Sequence, residues 1–105
     1  MKPPSKVKVG YKDYAVRLLP TAEMAGNLGA CHADRGLIDL DEEQSRQQLA
    51  ETALHEVCHA IWHVWQLPGR AAEEKAVSAL SVGLAGVFRD NPEAIKWILA
   101  GLKAK

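Results

Sequence analysis

Residues 53–65 constrain the fold of this 105-residue chain more than any other segment. They belong to a longer stretch, residues 42–65, that contains no glycine or proline and ends shortly before Pro68 and Gly69. This stretch predicts one long helix. Apolar residues occupy nearly every side of its second half, which is typical of a helix in a protein interior. Its polar exceptions are His55, Glu56, His59 and His63. Because unpaired polar groups are costly to bury, these four residues need partners or a function.

Shorter elements are predicted on either side of this helix. Alternating apolar residues predict strands, turn residues predict a hairpin, and helical spacing predicts two further helices. The predicted elements are strands at 7–12 and 14–19, a hairpin at 28–40, a helix at 71–88 and a last helix ending near 102. We therefore expect one α+β domain spanning 1–105, with a small, mostly antiparallel N-terminal sheet followed by three helices. Residues 1–6 are expected to form a flexible tail.

Charge and composition exclude several classes of protein. Thirteen Lys and Arg residues balance thirteen Asp and Glu residues, and the sequence pI is about 6.9. Proteins that bind phosphate backbones normally have a basic excess, so no nucleic acid is expected as a partner. No apolar run approaches about 18 residues, and the N-terminus lacks the apolar core of a signal peptide, so no membrane partner is expected either. Two cysteines, Cys31 and Cys58, make no disulfide framework, which favours a cytoplasmic protein.

The polar exceptions contain the pattern His-Glu-x-x-His at residues 55–59. On a helix, His55 and His59 are one turn apart, about 6 Å along the axis, and share one face. Two imidazoles at this spacing reach a single Zn²⁺ ion at about 2.0–2.1 Å. Glu56 is rotated by about 100° from His55, so its carboxylate reaches a metal-bound water rather than the metal. The pattern therefore predicts a zinc site in which Glu56 acts as the general base.

A catalytic zinc site usually has a third protein ligand. His63 lies about 12 Å along the helix from His55, which is too far for the two to share one ion comfortably. The remaining candidates are Glu73 and Glu74, at the start of the next predicted helix. We favour Glu74, because Ser78 lies one turn later and would donate a hydrogen bond to it. Glu73 remains an alternative, because it lies along the apolar stripe of that helix, which favours a buried position.

The pattern His55-Glu56-x-x-His59, followed by a glutamate on the next helix, resembles the gluzincin class of zinc metallopeptidases. The short spacing and the strand-rich N-terminal part are most similar to compact ImmA/IrrE-type metallopeptidases and to small phage- and prophage-encoded zincin-like proteins. The resemblance covers about residues 28–84. It implies a minimal zincin-like domain, in which the strand at 36–40 runs beside the active-site helix and offers its edge to an extended peptide.

The resemblance also implies roles for individual residues. His55, His59 and Glu74, or Glu73 in its place, would bind zinc, and Glu56 would be the base. Enzymes of this kind often use a tyrosine or a histidine to stabilise the oxyanion. The candidates in this chain are Tyr11, Tyr14, His32 and His63, of which we rank His32 first.

Together these features predict a zinc-dependent metallopeptidase. It would hydrolyse a bond of a peptide or protein substrate through a zinc-bound water activated by Glu56. An alternative is a non-catalytic, phage- or prophage-associated interaction protein whose zinc site is structural or vestigial. A fourth protein ligand, either Cys31 or His32, would indicate such a closed site. A further alternative is a metal-free helical adaptor in which the pattern is coincidental, and failure to bind zinc would select it.

Overall fold

The computed structural model describes residues 2–67 and 73–104, except for the side chains of residues 73–75, 77, 78 and 81. Within these ranges the chain forms four strands and three helices, which confirms the predicted α+β class. In chain order they are β1 (Lys6–Val9), β2 (Lys12–Leu19), a short 3₁₀ turn (Thr21–Glu23), β3 (Gly29–His32), β4 (Leu37–Asp41), α1 (Arg46–Val64), α2 (Glu73–Asp90) and α3 (Pro92–Leu102).

The strands form one mixed sheet in the order β1-β2-β4-β3. β1 pairs antiparallel with β2, and β3 pairs antiparallel with β4, as the predicted hairpin requires. The sheet departs from a purely antiparallel arrangement where β4 pairs parallel with β2. In the β3–β4 hairpin the second strand, β4, lies next to β2, and β3 lies on the outside. β4 is the more apolar strand of the hairpin, and its Ile38 and Leu40 are almost completely buried.

Several element boundaries differ from those predicted by the sequence. The single strand predicted over 7–12 is interrupted, because Gly10 has a φ of 61° and turns the chain from β1 into β2. Lys6, expected in the flexible tail, begins β1. The long helix begins after Ser45 rather than near residue 42, because the Ser45 side chain caps it by accepting a hydrogen bond from the backbone N–H of Gln48.

The hydrophobic core lies between one face of the sheet and the helices. α1 is its central element and contacts α2, α3 and strands β1, β3 and β4. The interior position predicted for this helix holds for one side only, because the side that carries His55, His59 and His63 is exposed. The largest fully buried side chains are those of Val9, Tyr14, Ile38, Leu40, Ile61 and Val87. No helix within residues 2–67 or 73–104 is long and apolar enough to cross a membrane.

Candidate metal centre

One side of α1 carries three histidines, each one turn from the next. His55, His59 and His63 are all exposed, whereas Val57 and Ile61, on the opposite side, are buried. The Nε2 atoms of His55 and His59 lie 3.1 Å apart, and the two rings meet edge-on with their centroids 4.8 Å apart. Helix geometry brings these two imidazoles together, because residues four apart share a face. The nitrogen atoms of the two predicted histidine ligands therefore meet at one point.

The spacing of these two nitrogen atoms suits a tetrahedral metal ion. Two ligand nitrogens that each lie about 2.0–2.1 Å from one tetrahedral zinc are about 3.3 Å apart. The 3.1 Å separation of the His55 and His59 Nε2 atoms is close to this value, so the rings need little movement to share an ion. Solvent-facing imidazoles are also ligands that zinc commonly takes in proteins.

Glu56 differs from the histidines because its side chain is buried. It is 5% exposed and lies against the β3 backbone at Gly29. A β-carbon at Gly29 would lie 2.9 Å from Glu56 Oε2, so a larger residue there would displace the carboxylate. Burial raises the pKa of Glu56, while the charges of His59, His55 and, least, His32 oppose this rise. A carboxylate with a raised pKa beside two candidate metal ligands has the properties expected of a general base.

An open groove follows α1 beside β3. Toward the end of α1 it is lined by the backbone of β3, Glu56 and the three exposed histidines. Toward the beginning of α1 it continues past Leu28, Gln48, Glu51 and Thr52. His55 and Glu56 line both parts. The candidate metal ligands and the candidate base therefore lie at the middle of one continuous groove.

The strand that borders this groove is β3. The resemblance implied a free strand edge at 36–40, and this expectation is wrong, because β4 is paired with β2 on one side and with β3 on the other. β3 is the edge strand instead. The amide of Asp41 donates to the carbonyl of Leu28. Because hydrogen-bonded pairs alternate along an antiparallel ladder, the backbone groups of Gly29 and Cys31 face outward.

His32 is held on the opposite face of the sheet. Its Nε2 atom lies 3.1 Å from Asp39 Oδ2. Asp39 also accepts two hydrogen bonds from Arg17, 2.7 Å from Nε and 2.9 Å from Nη2. The hydrogen bonds from Arg17 are the main reason that the pKa of Asp39 lies below its usual range in spite of burial. The structure therefore does not bring His32, the residue ranked first for the oxyanion, to the histidines of the groove.

The predicted third ligands begin α2. Glu73 and Glu74 lie in its first turn. Their side chains, and that of Ser78, lie outside the described residues. Among the side chains that the structure does describe, His, Cys, Asp and Glu residues form no group of three that could hold a metal ion. The two histidines are therefore the described part of the candidate centre, and the full ligand set, including Glu74 or Glu73, stays a prediction.

The packing of α2 bears on that prediction. α2 meets α1 where Gly83 lies against Ile61, and a β-carbon at Gly83 would be 2.7 Å from Ile61 Cγ2. Ile61 points about 200° around α1 from His59, so this contact lies on the side away from the histidines.

Sequence reasoning missed the contacts at and next to Glu56. Gly29 in β3 lies against both Glu56 and Thr52, and Thr52 hydrogen-bonds to Gln44 in the loop before α1. The one available signal was that Thr52 precedes Glu56 by four residues and so shares its helix face. The contacts with Gly29 and Gln44 depend on how the hairpin folds back onto α1, which leaves no mark in the local sequence.

Comparisons with known proteins add no further constraint. No family model, curated protein or solved structure matches this chain. A function for this chain has to come from the residues of the groove.

Proposed function

We propose that this chain is a zinc-dependent peptidase with a minimal zincin-like fold, in which His55 and His59 bind the metal and Glu56 is the general base. One observation carries the proposal: two solvent-facing imidazoles converge to 3.1 Å, and a buried carboxylate lies beside them. Within the described ranges Glu56 forms no salt bridge. A buried carboxylate is costly without such a partner, which favours a functional reason for its position. Glu74, or Glu73 in its place, completes the proposed ligand set.

The proposed reaction adds one water across one peptide bond. A bound zinc ion supplies a Lewis acid, which lowers the pKa of water and polarises the scissile carbonyl. Glu56 takes the proton from the attacking water as the water oxygen bonds to the carbonyl carbon. It then gives that proton to the leaving amine as the C–N bond breaks. Burial raises the pKa of Glu56 toward neutral pH, where a general base works best.

The substrate is assigned to the free edge of β3. An extended peptide would pair with the outward backbone groups of Gly29 and Cys31, and this pairing would carry it past Glu56. The other edge of the sheet is closed to such pairing, because the Asn91 side chain binds both the amide and the carbonyl of Lys8 in β1. The two edges thus differ, and the one left open is the one beside the candidate base.

The contact with the oxyanion is assigned to His63. Of the four candidates, it is the one that lines the groove. His32 is bonded on the opposite face of the sheet, Tyr14 is fully buried in the core, and Tyr11 is 80% exposed on the turn after β1. His63 therefore replaces His32 in this role.

A non-catalytic protein with a structural zinc is the second candidate, and Cys31 is the observation that favours it. This thiol is free and lines the same groove, so it could close the site as a fourth ligand. Burial, together with the charge of Glu56, raises the pKa of Cys31 to about 11, so the thiol is a poor nucleophile.

Cys58 is free as well, and both thiols support the expected cytoplasmic location.

Digestion of a peptide library tests the proposed function. The zinc-loaded wild type is expected to cleave peptides. Glu56→Gln is expected to lose at least about 100-fold in rate while it keeps its zinc, because the amide has a similar size but cannot accept the proton. Lys6→Gln, in β1 at the other edge of the sheet, serves as the control and is expected to cleave at the wild-type rate.

Two outcomes would decide against the peptidase. Cleavage by Glu56→Gln at the wild-type rate would exclude this residue as the base. A wild type that binds zinc but cleaves nothing, together with loss of that zinc in Cys31→Ser, would support a closed structural site instead. The peptidase predicts that Cys31→Ser retains zinc.

A further inference from the structure

We propose that Gln44 and Thr52 form a clamp that holds β3 against α1 and thereby positions Glu56. This inference rests on the proposed peptidase function, because it concerns the placement of the base. Gln44 and Thr52 act through Glu56 and are positioning residues. We call the hydrogen-bonded pair the Gln44–Thr52 clamp.

The clamp joins three segments of the chain through one side chain. Gln44 Nε2 donates to the carbonyl of Leu28 at 3.0 Å and to the carbonyl of Asp41 at 2.9 Å. Gln44 Oε1 accepts a hydrogen bond from Thr52 Oγ1 at 2.7 Å. Leu28 immediately precedes β3, and Asp41 is the last residue of β4. The amide of Gln44 therefore ties the beginning of β3 to α1.

The clamp lies where Glu56 meets β3. Thr52 and Glu56 are four residues apart on α1, so they share a face. A β-carbon at Gly29 would lie 2.7 Å from Thr52 Cγ2 and 2.9 Å from Glu56 Oε2. Both side chains therefore contact the same residue of β3, directly after Leu28. The distance between β3 and α1 at this residue sets the room available to the Glu56 carboxylate.

Glu56 depends on this contact for its position. Its side chain is 5% exposed, and no salt bridge within the described part of the chain fixes it. Without the Thr52 hydroxyl, Gln44 Oε1 loses its donor and β3 can move away from α1. A displacement of about 1 Å in a catalytic group can lower a rate by about 100-fold. Loss of the clamp is therefore expected to lower kcat and to leave zinc binding intact.

The test compares three variants. Thr52→Val keeps the methyl contact with Gly29 and removes the hydroxyl, so kcat is expected to fall at least about tenfold, with KM and zinc affinity within about twofold of wild type. Thr52→Ser keeps the hydroxyl and is expected to recover most of the rate that Thr52→Val loses. Ser5→Ala is the control, because it removes an exposed hydroxyl just before β1, at the other edge of the sheet. This control is expected to keep the wild-type kcat.

A wild-type kcat in Thr52→Val would overturn the clamp, as would a lost rate that Thr52→Ser does not recover. A wild type that binds zinc but cleaves nothing would instead contradict the proposed function. In that case nitrogen-15 relaxation of the Gly29 amide still tests the clamp. The clamp predicts a lower order parameter in Thr52→Val than in wild type and Ser5→Ala, and equal values in all three proteins would overturn it.

Discussion

Two histidine arrangements in this molecule differ in the partners that surround them. His32 in β3 contacts Asp39, which is itself held by Arg17. His55 and His59 instead face each other, with their Nε2 atoms 3.1 Å apart on the exposed side of α1. In the first arrangement a carboxylate satisfies the imidazole. In the second, two imidazoles direct their nitrogen atoms at the same point. The partner, rather than the residue type, separates a structural histidine from a candidate metal ligand.

The two arrangements also differ in what they contribute to folding. Asp39 is 4% exposed and pairs with both Arg17 and His32, so the folded protein depends on its hydrogen bonds. His55 and His59 are exposed and contact each other, so their removal is expected to cost the fold little. Residues whose side chains are not needed for folding are free to serve a function, so the candidate metal centre and the sheet network can be perturbed separately.

The largest expected effect is on zinc affinity. His55→Ala removes one of the two described ligands and is expected to weaken zinc binding at least about 100-fold. His32→Ala is expected to stay within about twofold of wild type, because its imidazole is bonded on the other face of the sheet. Competition with a chromophoric chelator measures both affinities. Equal losses of zinc affinity in the two variants would show that His55 binds zinc no more directly than His32 does.

The next effect concerns the free energy of unfolding. Here the variant in the sheet network, not the histidine variant, is expected to show the larger loss. Asp39→Asn removes the charge that Arg17 and His32 share, and it is expected to lower the free energy of unfolding by about 2 kcal/mol. In the metal-free protein, His59→Ala is expected to change it by less than about 0.5 kcal/mol, because that side chain is exposed. Urea denaturation of the metal-free variants measures both. A larger loss in His59→Ala would mean that the histidine pair is structural.

The contribution of Asp39 also has a predicted pH dependence. Hydrogen bonds from Arg17 hold its folded-state pKa below the unfolded value. Its stabilising effect is therefore fully present above the unfolded pKa, near pH 4, and is lost as the pH falls through the folded pKa. The stability difference between wild type and Asp39→Asn is expected to shrink as the pH is lowered from about 5 to about 2. A difference that stays constant over this range would show that Asp39 does not titrate as proposed.

The smallest expected effect comes from Arg17→Lys. Lysine keeps the positive charge but cannot reproduce the hydrogen bonds from both Nε and Nη2 to Asp39. The Arg17 side chain is 47% exposed, so solvent screens the pair. Thermal unfolding is expected to show a smaller loss of stability than Asp39→Asn. A loss as large as that of Asp39→Asn would place the main stabilising contact at Arg17 rather than at the buried carboxylate.

Local patterns in the sequence were enough to predict much of the fold and the two histidines at the middle of the candidate site. The long apolar stretch predicted α1 as the buried central helix, and turn residues predicted the β3–β4 hairpin. The spacing of His55 and His59 predicted their shared face, because that spacing follows from the helix itself. Each of these features depends on residues that are near one another in the chain.

Features that depend on distant residues could not be predicted in this way. The strand at 36–40 was expected at an edge, but the hairpin places it inside the sheet because its Ile38 and Leu40 need burial on the core face. The ranking of His32 for the oxyanion did not take Asp39 into account. Nothing in the local sequence of His32 shows that β4 brings Asp39 beside it. The same is true of Gly29, whose contact with Glu56 exists only once β3 packs on α1.

The zinc content of the wild-type chain, purified without added metal, tests the central claim most directly. Elemental analysis is expected to give about one zinc per chain, and none in the double variant His55→Ala/His59→Ala, which leaves the rest of the groove unchanged. Zinc retained by the double variant would contradict a metal centre at His55 and His59. So would a wild type that contains no zinc and whose fold is unaffected by a chelator, because the pattern on α1 would then be coincidental.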